Sequence, residues 1–209
     1  PRHLFKTINV RKTMPGLKVA VNGKELAAVA SDGFNFITVQ VHGDVKGEEL
    51  ATVDVFGGLY EGKETDRHLI WVNDHEIKAG DEVEITFCES VESSHHGRTI
   101  EELHPETEQK MGTQKSMEEI ISDIEKMLKL REGFTFELVS PSGEVAQSST
   151  DPEEYSFHFS AMWRWVKPDE SRVSLTSNTI EGIERRESGR KHVGYAMQYG
   201  QGVKFRVGT

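Results

Sequence analysis

The residues of this chain best suited to chemistry are its nine histidines. Imidazole titrates near neutrality, so it can act as acid, base or metal ligand. The densest group is His95, His96 and His104, with Glu92, Glu101 and Glu102 beside them. Adjacent histidines do not reproduce the i, i+4 pair of a helical zinc site, and neither HxxxH nor HExxH occurs. Metal binding at His95, His96 and His104 is therefore only a secondary alternative, and the expectation is that the protein needs no metal and no organic cofactor. His42, His68 and His75 fall at strand ends. An enzyme would have to assemble them in space with carboxylates from other strands.

Nucleophilic chemistry has less to work with. There is no GxSxG elbow, and Cys88, the only cysteine, lies in VEITFCE with no basic neighbour to lower its pKa. It reads as a small apolar strand residue, and it excludes both an intrachain disulfide and an intrachain thiolate cluster. The glycine-rich pieces GDVKGEE, GGLYEGKE and YGQGVKF lack the Lys-Ser/Thr ending and the strand-to-helix context of a phosphate loop, so they read as turns. One basic and aromatic combination exists: Arg185, Arg186, Arg190 and Lys191, followed by Tyr195 and Tyr199. It is the alternative anion or single-strand site. The simpler reading is a hairpin tip whose arginines are solvated or paired internally.

The net charge of −10 opposes general affinity for nucleic acid or an anionic membrane, because such binding works by neutralising phosphates. The charge is uneven. From Asp81 to Glu108 there are nine acids against one arginine, Arg98, whereas Arg172 to Arg206 is basic. An acidic surface of this kind suits a basic protein partner. The candidate contacts are Glu89, Glu92, Glu101, Glu102, Glu106 and Glu108.

The elements that must carry these residues are mostly strands. Asn22-Gly23 is a strong hairpin signal between Leu17–Val21 and Lys24–Ala30. Phe34–His42 carries apolar residues on both faces and reads as an inner strand, while Ala51, Val53 and Val55 alternate with Thr52 and Asp54 as in a half-buried one. Further strands are expected at His68–Val72, Val83–Glu89, Phe134–Val139, Glu144–Ser148, Tyr155–Val166, Arg172–Thr176, Val193–Tyr199 and Val203–Val207. Short strands with turn chemistry between them suit antiparallel meanders in a sandwich or barrel, not βαβ units.

The exception is Ser116 to Arg131. There Met117, Ile120, Ile121, Ile124 and Leu128 recur at the helical period behind a Ser116/Glu119 capping box. The pattern predicts one long amphipathic helix at about 116–131, packed by its stripe onto a sheet. A second capping box, Thr99 with Glu102, predicts a short helical turn in a polar segment that reads as the linker. The resulting expectation is a β-rich α+β protein: an antiparallel β domain at 1–110, linker and helix at 111–133, and a second antiparallel unit at 134–209. No repeat between the halves is evident beyond the shared strand-turn habit.

No apolar run approaches the roughly 20 residues of a spanning helix, and PRHLFKTINVRK lacks the apolar core of a secretory signal. Together these features lead to the expectation of a cytoplasmic, non-enzymatic binding protein of bacterial type. In that reading it neutralises a basic protein as an immunity protein neutralises a toxin.

Overall fold

The computed structural model describes residues 14–63, 66–105 and 115–209. The described chain is mainly β. Its strands are β1 (Gly16–Val21), β2 (Lys24–Ala30), β3 (Phe36–Asp44), β4 (Ala51–Leu59), β5 (Arg67–Ile77), β6 (Val83–Cys88), β7 (Thr135–Val139), β8 (Val145–Ser149), β9 (Glu154–Arg164), β10 (Lys167–Thr179), β11 (Arg190–Met197) and β12 (Gly202–Gly208). They form two six-stranded antiparallel sheets. The first has the order β2-β1-β6-β12-β7-β8 and the second β11-β10-β9-β3-β4-β5.

Local chemistry explains the turns. Asn22 and Gly23 both take positive φ, 52° and 75°, as the tight β1–β2 turn requires. The period-2 pattern then decides the faces. Ile37, Val39 and Val41 of β3, Val53 and Val55 of β4, and Phe157, Phe159, Ala161 and Trp163 of β9 point inward. They meet Leu17, Val19, Ile85, Phe87, Phe136, Leu138, Val203 and Phe205 from the first sheet in a single core. Phe159 and Phe205 stack between the sheets at 4.3 Å. Trp163 keeps the inward parity of β9, and Trp165 beyond it is exposed.

Strands before residue 110 and after residue 134 are interleaved in both sheets. β6 pairs with β12 in the first sheet, and β3 pairs with β9 in the second. Among the described residues no helix is long and apolar enough to cross a membrane.

The long helix is a point of correction. The Ser116/Glu119 capping box forms as expected, but α2 runs only from Met117 to Lys126, and Met127 is already extended. The reason lies in the β3–β4 loop. Lys46 Nζ donates to the carbonyls of Ile124 (2.6 Å) and Glu125 (3.2 Å), satisfying groups that another turn would have used. The chain then peels away, so that Leu130 N–H and Arg131 N–H both reach the Val45 carbonyl. The apolar stripe does not cover a sheet. Only Ile121 is buried; Met117 and Ile120 are each 40% exposed and Leu128 is 77% exposed. The neighbour of α2 is α3 (Ile180–Glu184), a single turn after β10.

The segment that reads as a linker is, over its first part, a strap. Ser93 and Ser94 hydroxyls accept from the Ala30 and Ala28 N–H groups on β2. Trp71 Nε1 donates to the His95 carbonyl, and Ile70 and Arg98 exchange backbone hydrogen bonds on β5. The strap therefore joins the β2 edge of one sheet to the β5 edge of the other. Covering exposed edges in this way blocks strand addition by another chain. It ends in the expected short turn, α1 (Ile100–Leu103), capped by Thr99 and Glu102.

Candidate functional site

Alternation sends Val39 and Val41 into the core and therefore Gln40 and His42 to the outer face of the second sheet. Antiparallel register fixes what they meet. Gln40 lies opposite Asp54 on β4 and Ser160 on β9, and His42 lies opposite Thr52 and His158. The side chains join into one network. His42 Nε2 is 2.8 Å from Asp54 Oδ2 and 3.3 Å from Thr52 Oγ1. Gln40 donates to Asp54 Oδ2 at 3.2 Å, while its carbonyl oxygen meets His158 Nε2 at 3.1 Å.

Asp54 is only 8% exposed although it sits on the outer face. Its other oxygen accepts the Asp74 N–H at 2.8 Å. That N–H is aimed by an irregularity in the β4–β5 register, where Asp74 takes φ of 51°. A bulge that redirects one donor onto a side chain is a device typical of functional sites.

The electrostatics follow from this geometry. Burial works to raise the Asp54 carboxyl, but hydrogen bonds from His42, the Asp74 N–H and Gln40 outweigh it and hold the group below the ordinary carboxylate value. The hydrogen bond to Asp54 raises His42 above its ordinary value against a burial penalty, with the charges of Asp54, Asp74 and Asp44 adding to the rise. His158 moves the other way, lowered by burial and then by the nearby His42. The face thus carries one histidine biased towards its charged form and one biased towards neutrality. The His42 side chain is 42% exposed and open to a ligand.

Further along the same strands Phe36, Phe56, Tyr60 and His68 form an aromatic cluster. Phe36 stacks on Tyr60 at 5.4 Å, and Tyr60 Oη bonds His68 Nδ1 at 2.9 Å. His68 lies opposite Gly58, well removed from the Thr52/His42 position, and His75 lies opposite Val53. His42, His68 and His75 therefore do not form one site. The partners that do join His42 are Asp54, Gln40 and His158, which the sequence reading did not single out. Their signal was a lone polar residue at alternate strand positions, but the pairing of β3 with β9 is invisible in one dimension.

The other sequence candidates divide. Glu89, Glu92, Glu101 and Glu102 are exposed on or beside the strap, and Glu102 also caps Thr99. Glu106 and Glu108 lie outside the described residues. Glu82 is neutralised by Lys204 (2.7 Å) and Arg206 (2.5 Å) of β12. His95 has both ring nitrogens engaged, by Ser94 Oγ and the Trp71 carbonyl, whereas His96 and His104 are exposed. Among the described residues no group of three or more His, Cys, Asp or Glu side chains could hold a metal ion.

In the basic loop, Arg190 is committed to Glu154 by two hydrogen bonds of 2.9 and 2.7 Å, and Arg185 pairs with Glu181. Arg186, at φ 56°, and Lys191 complete that loop, with Lys191 lying over Gly194. Cys88 is half-buried, and burial pushes its thiol up, away from nucleophilic use. The surface grooves lined by Arg131, Phe134 and Thr150 and by Met162, Arg164 and Arg172 contain no histidine.

No family model matches the chain, and neither a curated protein nor a solved structure matches it.

Proposed function

We propose that this chain is a non-enzymatic binding protein that docks a basic protein partner, with the docking centre on the outer face of the second sheet around His42. The observation that carries the reading is the Asp54 carboxylate fixed 2.8 Å from the accessible His42 ring, with the Asp74 N–H on its other oxygen and Asp44 two positions beyond His42 along β3. Among the described residues none of these three carboxylates forms an ion pair with a lysine or arginine. A cationic side chain arriving there meets oriented acceptors whose position is already set by β3, β4 and the β5 bulge, so little ordering entropy is lost on binding. Glu89, Glu92, Glu101 and Glu102, held out by a strap with fixed backbone, add the field that steers a basic partner at long range. A cytoplasmic inhibitor of the immunity type is the biological role that fits fast capture.

The test uses a lysine-rich peptide as probe and compares variants of equal charge change. Asp54→Asn should weaken binding at least several-fold, whereas Asp169→Asn, at the exposed start of β10 and remote from His42 in register, should leave it near the parent value. Equal losses in the two variants would mean that only net charge is being read. Binding should also weaken as pH falls through the raised His42 value, because the protonated ring then occupies the field that the probe needs.

A second reading is favoured by the His42/Asp54 geometry itself. A carboxylate that orients an accessible imidazole is the arrangement of a general base. Turnover of any ester, amide or phosphoester panel that is lost in His42→Gln, with folding unchanged, would replace the binding reading by an enzymatic one.

A further inference from the structure

The two sheets have mirrored strand orders, and the mirror extends to register. Adding 120 to each number of the β3–β4 pairs Thr38↔Phe56, Gln40↔Asp54 and His42↔Thr52 yields His158↔Thr176, Ser160↔Ser174 and Met162↔Arg172, all observed between β9 and β10. The same shift carries Ala51↔Ile77 and Val53↔His75 onto Ser171↔Met197 and Val173↔Tyr195. It also carries Gly80, at φ 93°, onto Gly200, at φ 79°, in the turns that lead to β6 and β12. For the remaining hairpin the shift is smaller by one residue, taking Leu17↔Val29 and Val19↔Ala27 onto Phe136↔Ser148 and Leu138↔Ala146. Leu17↔Phe87 likewise becomes Phe136↔Val207.

We infer that the chain is a fused dimer: two copies of one six-stranded unit, β1–β6 and β7–β12, each the binding partner of the other. The pseudo-twofold axis passes through the two places where a residue pairs with its own equivalent, Gln40↔Ser160 in one sheet and Glu84↔Lys204 in the other. The interaction surface of each unit is a pair of strand edges, β3 and β6 or β9 and β12. The partner it fits is a second such unit.

The copies have diverged so that each prefers the other over itself. At the first-sheet seam an acidic strand faces a basic one: Glu82 binds Lys204 and Arg206, and Glu84 lies opposite Lys204. If two first units paired through the same edges, Glu84 would face Glu84; two second units would set Lys204 against Lys204. Like charges directly opposite one another destabilise a strand pair. At the second-sheet seam Ile37 pairs with Trp163 and Val41 with Phe159, aliphatic against aromatic. Two first units would put Val41 against Val39 and leave a void, and two second units would crowd Phe157 against Trp163. Both are costly in a packed core. The uneven charge of the sequence, acidic early and basic late, is in part this code. It favours pairing within one chain over exchange of units between chains.

The full chain carrying a protease site between residues 106 and 114 tests this. After cleavage the two pieces should remain one 1:1 complex by sedimentation and native mass spectrometry. After unfolding and refolding of the mixture, the same 1:1 complex should return without homotypic pairs. Separation on cleavage, or a statistical mixture of pairs on refolding, would overturn the inference. Glu82→Lys with Glu84→Lys should cut the refolded 1:1 yield several-fold, and adding Lys204→Glu with Arg206→Glu should restore it. Equal yields from all three proteins would show that the seam carries no charge code. Equivalence of the units is read from an uncut permutant in which 115–209 precedes 14–105, the new join being as long as the 89–133 connection. It should unfold cooperatively with the parent's spectrum, and a permutant that stays unfolded while the cut parent refolds would sink the duplication.

Discussion

 Replacing Glu154 by Gln isolates the ion pair between this buried carboxylate and the partly exposed Arg190 guanidinium. Glu154 is 4% exposed and accepts four hydrogen bonds: two from Arg190, through Nε (2.9 Å) and Nη2 (2.7 Å), and one each from Ser177 Oγ (2.6 Å) and the Asp151 N–H (2.7 Å). Burial opposes ionisation of Glu154, but these donors outweigh it and hold the carboxyl down at about 2, against an ordinary value of 4.5. A folded value below the unfolded one contributes stability above the unfolded pKa and loses it as pH falls towards the folded one. The difference corresponds to about 3 kcal/mol at pH 7, with roughly half of that gone by pH 3. Arg190 keeps a partly exposed side chain, so its charge is not stranded when the carboxylate is removed. Glu154→Gln should therefore cost about 3 kcal/mol at pH 7, near the lower end for breaking a buried pair. Urea unfolding of parent and variant at pH 7, 5 and 3 reads the effect. A gap between the two proteins that stays constant from pH 7 to pH 3 would refute the linkage argument.

Ile121→Asp should destabilise by about 3 kcal/mol, since it places a charge where the only buried α2 side chain sits, whereas Ile124→Asp should cost under about 1 kcal/mol; thermal melts that rank them the other way would contradict the position of α2. Phe159→Ala, which empties the stack with Phe205 between the sheets, should cost about 3–5 kcal/mol by urea unfolding. His42 has a raised pKa, so its pairing with Asp54 adds stability below the ordinary value of 6.5 and loses it as pH rises through the folded one. His42→Gln should accordingly differ from the parent more at pH 6 than at pH 9, and an unchanged difference between those pH values would count against the pairing.

What the sequence determined by itself is local. Alternation marked the strands and their inward faces, Asn22-Gly23 marked a turn, and the two capping boxes marked helix starts, because each of these depends on neighbours a few residues apart. Where α2 ends was beyond that reach, since Lys46, distant in sequence, takes the carbonyls that would have continued it. The candidate site was half legible for the same reason. His42 stood out by residue type, but its partners Asp54 and His158 are set by strand pairing across long separations, and Asp54 itself looks like an ordinary solvent-facing residue between Val53 and Val55. The duplication was hidden most completely. A shared backbone register constrains which positions face inward but not which apolar side chain fills them, so the two units kept their pairings while Val39 on one side came to correspond to Phe159 on the other. Only the tertiary structure, by setting β3 beside β9 and β6 beside β12, decides which residues meet.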